Sequence, residues 1–223
     1  MMKPMKTITG GLYLVINPAR GLERVLPVVQ QAIAGGVDII QVWNHWYTRQ
    51  DKGKFIDNIC EAAYAYGVPV LVHEDWKLLQ YTQADGVHFD EIPMNIGQMR
   101  HELGRPFLGG ITCGNDLQKV QWAIDNGLDY LSFCSMFPST TANSCELVKS
   151  ESVQAARRMT RIPIFLAGGI TVESIEGLGP TGMNGVAVVS GITDSTDPLQ
   201  QTLNYKQAIN QAIQKQNDTQ SSE

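Results

Sequence analysis

The chain alternates, eight times over, between short, nearly continuous apolar runs and longer stretches with helical periodicity. The apolar runs fall at 11–17, 37–43, 69–74, 85–90, 106–112, 129–137, 162–169 and 185–192. The helical stretches fall at 22–36, 53–67, 75–83, 95–103, 115–126, 151–160, 171–178 and 197–215. In the first of them Leu22, Val25, Leu26, Val29, Ala32 and Ile33 share one stripe, and Gly35 and Gly36 end it. Short apolar runs bounded by turn signals read as strands covered on both faces, which a parallel sheet between helices requires. Strict alternation of strand and helix implies parallel strands joined by right-handed crossovers. Eight such units close a barrel with a filled interior, so the expected fold class is α/β, a single-domain (β/α)8 TIM barrel. A doubly wound open sheet is the alternative on the alternation alone.

The expected organisation is an N-terminal extension over residues 1–10, the barrel over 11–215, and a polar tail without fixed structure over 216–223. Asn115, Thr171 and Asp197 are expected helix N-caps, with Pro198 at a first helical position. A net charge of −5 gives no basic field for nucleic acid or an anionic membrane, so any anionic ligand must be held by local donors. A hydrophobic share of 43% and a charged share of 17% argue against disorder. No segment stays apolar over the ~20 residues needed to cross a bilayer, and residues 1–10 do not resemble a signal peptide, so the expected location is cytoplasmic. The cysteines, Cys60, Cys113, Cys134 and Cys145, form neither a Cys-x-x-Cys pair nor a zinc-ligand spacing and read as reduced, unpaired thiols.

In a barrel, chemistry collects at the C-terminal ends of the strands, and phosphate is recurrently held after strands seven and eight. The seventh run ends in Ala167-Gly168-Gly169-Ile170 and the eighth in Val188-Val189-Ser190-Gly191-Ile192. Glycine lets main-chain N–H groups approach an anion, and a helix start adds free donors and partial positive charge. Gly168, Gly169, Val189, Ser190 and Gly191 are therefore the candidate phosphate seat, and a phosphorylated small molecule is the expected partner. Whether the chain assembles with copies of itself is left open.

At these residues, and at Leu12-Tyr13-Leu14-Val15, Ala34-Gly35-Gly36-Val37-Asp38, Ala84-Asp85-Gly86-Val87-His88 and Met136-Phe137-Pro138-Ser139, the chain resembles the thiamine-phosphate synthase family, which includes related thiazole tautomerases. The resemblance runs from Leu12 to about Leu199. It implies condensation of hydroxymethylpyrimidine pyrophosphate with thiazole phosphate, pyrophosphate leaving before the thiazole nitrogen attacks. It places the thiazole phosphate on Gly168, Gly169 and Ser190. Gln41, Asn44, Thr112, Ser139 and Thr141 fall on the pyrophosphate and pyrimidine side. A magnesium ion is expected at Glu74 and Asp90.

Several positions depart from the family's pattern. Its second-strand Gln-Leu-Arg-Glu-Lys is Gln41-Val42-Trp43-Asn44-His45 here, and its third-strand Asn-Asp-Arg is His73-Glu74-Asp75. Pro93 stands where a second metal-binding aspartate is found, and Ala142 stands where the loop after strand six has lysine. Pyrophosphate departure develops negative charge that cations normally stabilise, so these changes bear on condensation and leave thiazole-phosphate binding untouched. Arg49, Lys52 and Lys149 are the charges near enough in sequence to compensate.

Three histidines, His45, His73 and His88, fall at the ends of adjacent strands beside Glu74 and Asp90. Imidazole with carboxylate suits either a transition metal or general acid–base work. His88 fits a structural role, while His45, His73 and Glu74 are the candidate catalytic residues. Trp43 and Trp46 add flat surface that either stacks on a ring or covers the barrel top. A tautomerase would need a proton carrier other than the family's histidine after strand five, where Thr112-Cys113-Gly114-Asn115 stands; Cys113 and His73 are the candidates. Three functions stay in view: condensing synthase, non-condensing binder of thiazole phosphate or thiamine phosphate, and metal-dependent barrel enzyme on another phosphorylated molecule.

Overall fold

The computed structural model describes residues 6–138 and 146–220. Strands β1 (Gly11–Ile16), β2 (Ile39–Val42), β3 (Val70–His73), β4 (Gly86–Phe89), β5 (Leu108–Thr112), β6 (Tyr130–Cys134), β7 (Ile164–Ala167) and β8 (Gly185–Val188) pair in chain order and form a closed barrel. Every pairing is parallel, including β8 with β1. Around it lie α1 (Leu22–Ala34), α2 (Lys52–Tyr64), α3 (Ile96–Leu103), α4 (Leu117–Asp125), α5 (Ser150–Met159), α6 (Ser190–Thr193) and α7 (Pro198–Gln220). Among the described residues no helix is long and apolar enough to cross a membrane.

Two of the expected helices are 3-10 turns instead, Trp76–Gln80 after β3 and Glu176–Thr181 after β7. In the first, the buried residues Leu78 and Leu79 are adjacent, so they offer no stripe at helical spacing. In the second, Gly177, Gly179 and Pro180 weaken an α-helix. The eighth strand is shorter than its apolar run: after Val188 the chain turns and winds into α6. The last helix continues to Gln220, beyond residue 215 where its end was expected.

The capping expectations divide. Asp197 Oδ1 accepts from Gln200 N at 3.0 Å, as expected. Asn115 does not cap α4; Asp116 does, accepting from Gln118 N at 2.8 Å. Asn115 Oδ1 instead accepts from Lys149 N and Ser152 Oγ, both at 3.0 Å, and so ties the loop after β5 to the start of α5. Thr171 and Ser174 bond one another in a local turn.

Alternation along the strands divides the core in two. Leu12, Leu14, Ile40, Val42, Val70, Val72 and their counterparts point outward and pack under the helices. Ile8, Tyr13, Ile39, Leu71, Leu108, Tyr130, Phe165 and Ala187 fill the barrel itself. The rings of Tyr13, Tyr130 and Phe165 meet edge-to-face with centroids 5.5–5.7 Å apart. Adjacent strands make room with glycine at the paired position. A Cβ on Gly110 would stand 2.0 Å from the Tyr130 ring, and one on Gly185 would stand 2.7 Å from Phe165.

A second device repeats at the opposite end of the barrel. The residue just before β2, β4, β6 and β8 is Asp38, Asp85, Asp129 or Asn184. Each side chain accepts from a main-chain amide at the start of the preceding strand: Leu12 N at 2.6 Å, Val70 N at 2.9 Å, Gly109 N at 2.7 Å and Ile164 N at 2.9 Å. Lys206 and Lys6 bond to Asp38 and Asp85, at 2.5 and 3.0 Å. These polar side chains lock neighbouring strands in register where no chemistry is done.

The packing gives a direct test. Gly110→Ala forces a methyl group into the Tyr130 ring, and overpacking of this kind costs about 1–3 kcal/mol. The variant should unfold at lower urea concentration with an unchanged m-value, and an unaltered midpoint would contradict the glycine–tyrosine fit.

Candidate functional site

The C-terminal ends of the strands open into one cavity of about 1010 Å³. Val15, Gln41, His73, His88, Thr112, Ser132, Ala167 and Ala187, one from each strand in turn, contribute to its wall.

The side above β7 and β8 is built from main chain. Gly168, Gly169, Val189, Ser190 and Gly191 all line the cavity, so the structure brings the candidate phosphate seat together. Gly168 and Gly169 have φ of 89° and 66°, a region that L-residues seldom occupy. They are also fixed from behind. A Cβ on Gly168 would lie 2.0 Å from Ser135 Oγ, and one on Gly169 would lie 2.7 Å from the Pro138 carbonyl oxygen. Tyr205 ties the two turns together: its hydroxyl donates to the Ile170 carbonyl at 3.0 Å, and its ring end packs against Gly191. The first amides of α6 have no intrahelical acceptor, which makes them available to an anion.

The floor is a hydrogen-bond chain across the barrel. Tyr13 OH donates to Gln41 Oε1 at 2.6 Å and meets Tyr130 OH at 2.8 Å. Tyr130 OH meets His88 Nδ1 at 2.7 Å, and His88 Nε2 meets Thr112 Oγ1 at 2.9 Å. Thr112 donates to Asp90 Oδ1 at 3.2 Å, and His73 Nε2 lies 3.0 Å from Asp90 Oδ2. Burial pushes the His88 pKa down to about 3, with the neighbouring His73 adding to it, so His88 is neutral near pH 7. Burial raises the Asp90 carboxyl, but its bond to His73, the two imidazoles and Thr112 outweigh that and hold it at about 2. Burial also raises the Tyr13 and Tyr130 hydroxyls, which stay protonated.

The remaining candidates are distributed unevenly. His45 lines the cavity with its ring stacked on Trp43, centroids 3.9 Å apart. Gln41 and Thr112 also line it, whereas Asn44 and Glu74 are not part of its wall. Glu74 sits at φ 61° and accepts from the Asp90 amide, which draws it to one side of the mouth. Ser139 and Thr141 lie outside the described residues, as do Ala142 and Cys145.

Of the charges that were to compensate for the lost cations, Lys52 pairs with Asp75 at 3.5 Å and lies over Trp46. Arg49 belongs to a separate surface recess beside Tyr47 and Lys54. Lys149 is not part of the cavity wall. Lys119 is the lysine that lines the cavity among the described residues, and it is engaged by Glu91 at 2.7 Å and by the Asp90 carbonyl at 2.9 Å. Cys113 is buried and its thiol is pushed up to about 12 by desolvation, which removes it as a proton carrier near neutral pH.

His73, Glu74 and Asp90 each offer one ligand atom within 4.8 Å of the others. The set suits magnesium poorly. Both Asp90 oxygens are already bonded by His73 and Thr112, Glu74 is bonded by an amide, and one donor is an imidazole where magnesium favours oxygen.

The sequence named Tyr13 only within a family-like segment, and gave no sign of Tyr130, Tyr205, Lys119 or Glu146 as residues of the site. Inward alternation from Val15 and Ser132 could have found the first two. The others come from helices or loops with no pattern to announce them.

Residues 12–192 match the family model described as thiamine monophosphate synthase. A thiamine-phosphate synthase of Thermoplasma acidophilum is 30% identical over 202 residues, which cover 89% of this chain and 92% of that one. One of Thiobacillus denitrificans is 29% identical over 193 residues, covering 86% and 92%. The solved thiamine phosphate pyrophosphorylase of Pyrococcus furiosus superposes with a TM-score of 0.79 at 20% identity, covering 92% of this chain and 98% of that one.

The buried imidazole sets a pH dependence. The His88 pKa falls from 6.5 to about 3 on folding, so below about 6.5 the unfolded chain binds a proton that the fold excludes. Stability is full above that value and is lost as pH falls toward 3. Asp90 acts in the same direction below 3.8. The His88 share between pH 7 and pH 4 is about 3 kcal/mol at most. Urea unfolding across this range should show the loss, and His88→Gln should flatten the slope.

Proposed function

The chain belongs to the thiamine monophosphate synthase family, and on that premise we propose that it acts in thiamine metabolism on a phosphorylated thiazole-type molecule. Its phosphate rests on the amides of Gly168, Gly169, Ser190 and Gly191. The observation that carries this reading is that all four line one cavity at the ends of neighbouring strands, two of them held at left-handed φ by packing from behind. Main-chain amides and a helix start can bind phosphate without lysine, which agrees with a net charge of −5.

A second reading, condensation with hydroxymethylpyrimidine pyrophosphate by a transferase mechanism, is favoured by the relatives named thiamine-phosphate synthase. In it Gln41 reaches the pyrophosphate and the cluster of His73, Glu74 and Asp90 is the place for a metal. The residues fit magnesium poorly, so no step is routed through it. The tautomerase form of the reading leaves His73, bonded to Asp90, as the proton carrier.

Calorimetry separates seat from reaction. Thiazole phosphate should bind the full chain, and Ser190→Asp should weaken it at least ~10-fold, about 1.4 kcal/mol. Aspartate suits a helix start, so this variant keeps the fold while repelling the phosphate. Unaltered affinity would place the phosphate elsewhere. Thiamine phosphate formed from both precursors with magnesium would establish the second reading; binding without product would reject it.

A further inference from the structure

We propose that Tyr205, which reaches the cavity from α7, is a positioning residue for the phosphate: it sets the spacing of the two main-chain turns, 168–171 and 189–192, and through that spacing the affinity of the seat. This rests on the phosphate seat proposed above.

In a trans peptide the C=O and the N–H point in opposite directions, so a carbonyl bonded from behind turns the next amide forward. The turn after β7 is held this way at three places. The Ala167 carbonyl accepts from Met136 N at 2.8 Å, and the Gly168 carbonyl accepts from Phe137 N at 3.1 Å. These two bonds aim the amides of Gly168 and Gly169, and main chain supplies both. The third bond comes from a side chain, the Tyr205 hydroxyl, which donates to the Ile170 carbonyl at 3.0 Å. It fixes the far end of the turn. The amide of that same peptide, Thr171 N, is taken up by Ser174 Oγ at 3.0 Å.

The same hydroxyl meets the second turn. A Cβ on Gly191 would lie 2.3 Å from the Tyr205 hydroxyl oxygen and 3.0 Å from its Cζ, so the tip of the phenol occupies the place of a side chain there. Tyr205 is buried, and a buried hydroxyl needs a partner, which the first turn provides. One oxygen atom is thus bonded to the turn after β7 and in contact with the turn after β8. The helix that carries it is fixed without any ligand. A Cβ on Gly35 of the α1 end would lie 2.7 Å from Thr202 Cβ, and Lys206 bonds Asp38 at 2.5 Å. A guest held by several donors at once needs them within about 0.5 Å of their productive places, and a locked supporting side chain supplies that precision.

Tyr205→Phe keeps the ring and removes the hydroxyl alone. In calorimetry on the full chain, thiazole phosphate and inorganic phosphate should each bind this variant at least ~5-fold more weakly. Without denaturant both proteins are folded, so a tyrosine that only packs would leave these affinities unaltered. Amide NMR gives a signature at the seat itself: phosphate should shift the Gly169 and Gly191 N–H resonances of the wild type, and Tyr205→Phe should diminish both shifts. Gly191→Ala supplies a second arm. Its methyl group meets the hydroxyl in the wild type, but meets only Cζ once the hydroxyl is gone, so it should weaken thiazole phosphate more in the wild type than in Tyr205→Phe. Equal affinity of wild type and Tyr205→Phe, or additive effects of the two substitutions, would overturn the role of Tyr205, and Ser190→Asp would still weaken binding if the seat stands. Failure of thiazole phosphate to bind the wild type would remove the seat itself, and the role of Tyr205 with it.

Discussion

The interior of the barrel is held by three aromatic rings, two of which fit because the strand beside each carries glycine at the paired position. Tyr13, Tyr130 and Phe165 supply the volume, and Gly110 and Gly185 leave the space. Close packing makes that fit a constraint on the whole barrel, since strand positions cannot shift without opening voids or driving backbone into ring. The two tyrosines also carry the core into the site. Their hydroxyls lie at the start of the hydrogen-bond chain that passes through His88 and Thr112 to Asp90. The residue that fills the barrel and the residue that fixes an imidazole in the cavity floor are the same residue, Tyr130.

The two ends of the barrel divide the work. At the N-terminal end, Asp38, Asp85, Asp129 and Asn184 each satisfy a strand amide, and this fourfold device serves register alone. At the C-terminal end the polar groups point into a cavity and are bonded to one another side by side, leaving room for a guest. Burying them is tolerable because the chain of bonds satisfies most of its members. His73 Nδ1 is an exception, buried without a partner among the described residues.

The eight-unit alternation was legible because continuous apolar runs and helical stripes differ in period, and the convergence of Gly168-Gly169 and Ser190-Gly191 on one cavity was legible because they follow the last two runs. What escaped notice had local causes. Trp76–Gln80 and Glu176–Thr181 are too short or too rich in glycine and proline to sustain an α-helix, and α6 is hidden inside an apolar run that looks like strand to Ile192. Glu74 reads as a site residue from its position after β3, but a bond to the Asp90 amide takes its carboxylate out of the cavity wall. The Asp and Asn register device is spread over residues ~50 apart on average, and a spacing of that kind has no periodic signature in a window of ordinary length.

The halves of the cavity differ in what a substitution can change. The seat over β7 and β8 is made of amides whose direction is set by φ and by packing against Ser135, Pro138 and Tyr205, so it survives any drift in side chains that keeps the glycines and Tyr205. The wall over β2 to β4 is made of side chains, and there Trp43, His45 and His73 replace basic or amide residues of the family's pattern. The main-chain turns over β7 and β8 are therefore the half of the cavity least open to change, and the side-chain wall over β2 to β4 is the half where substitution alters charge and shape most directly.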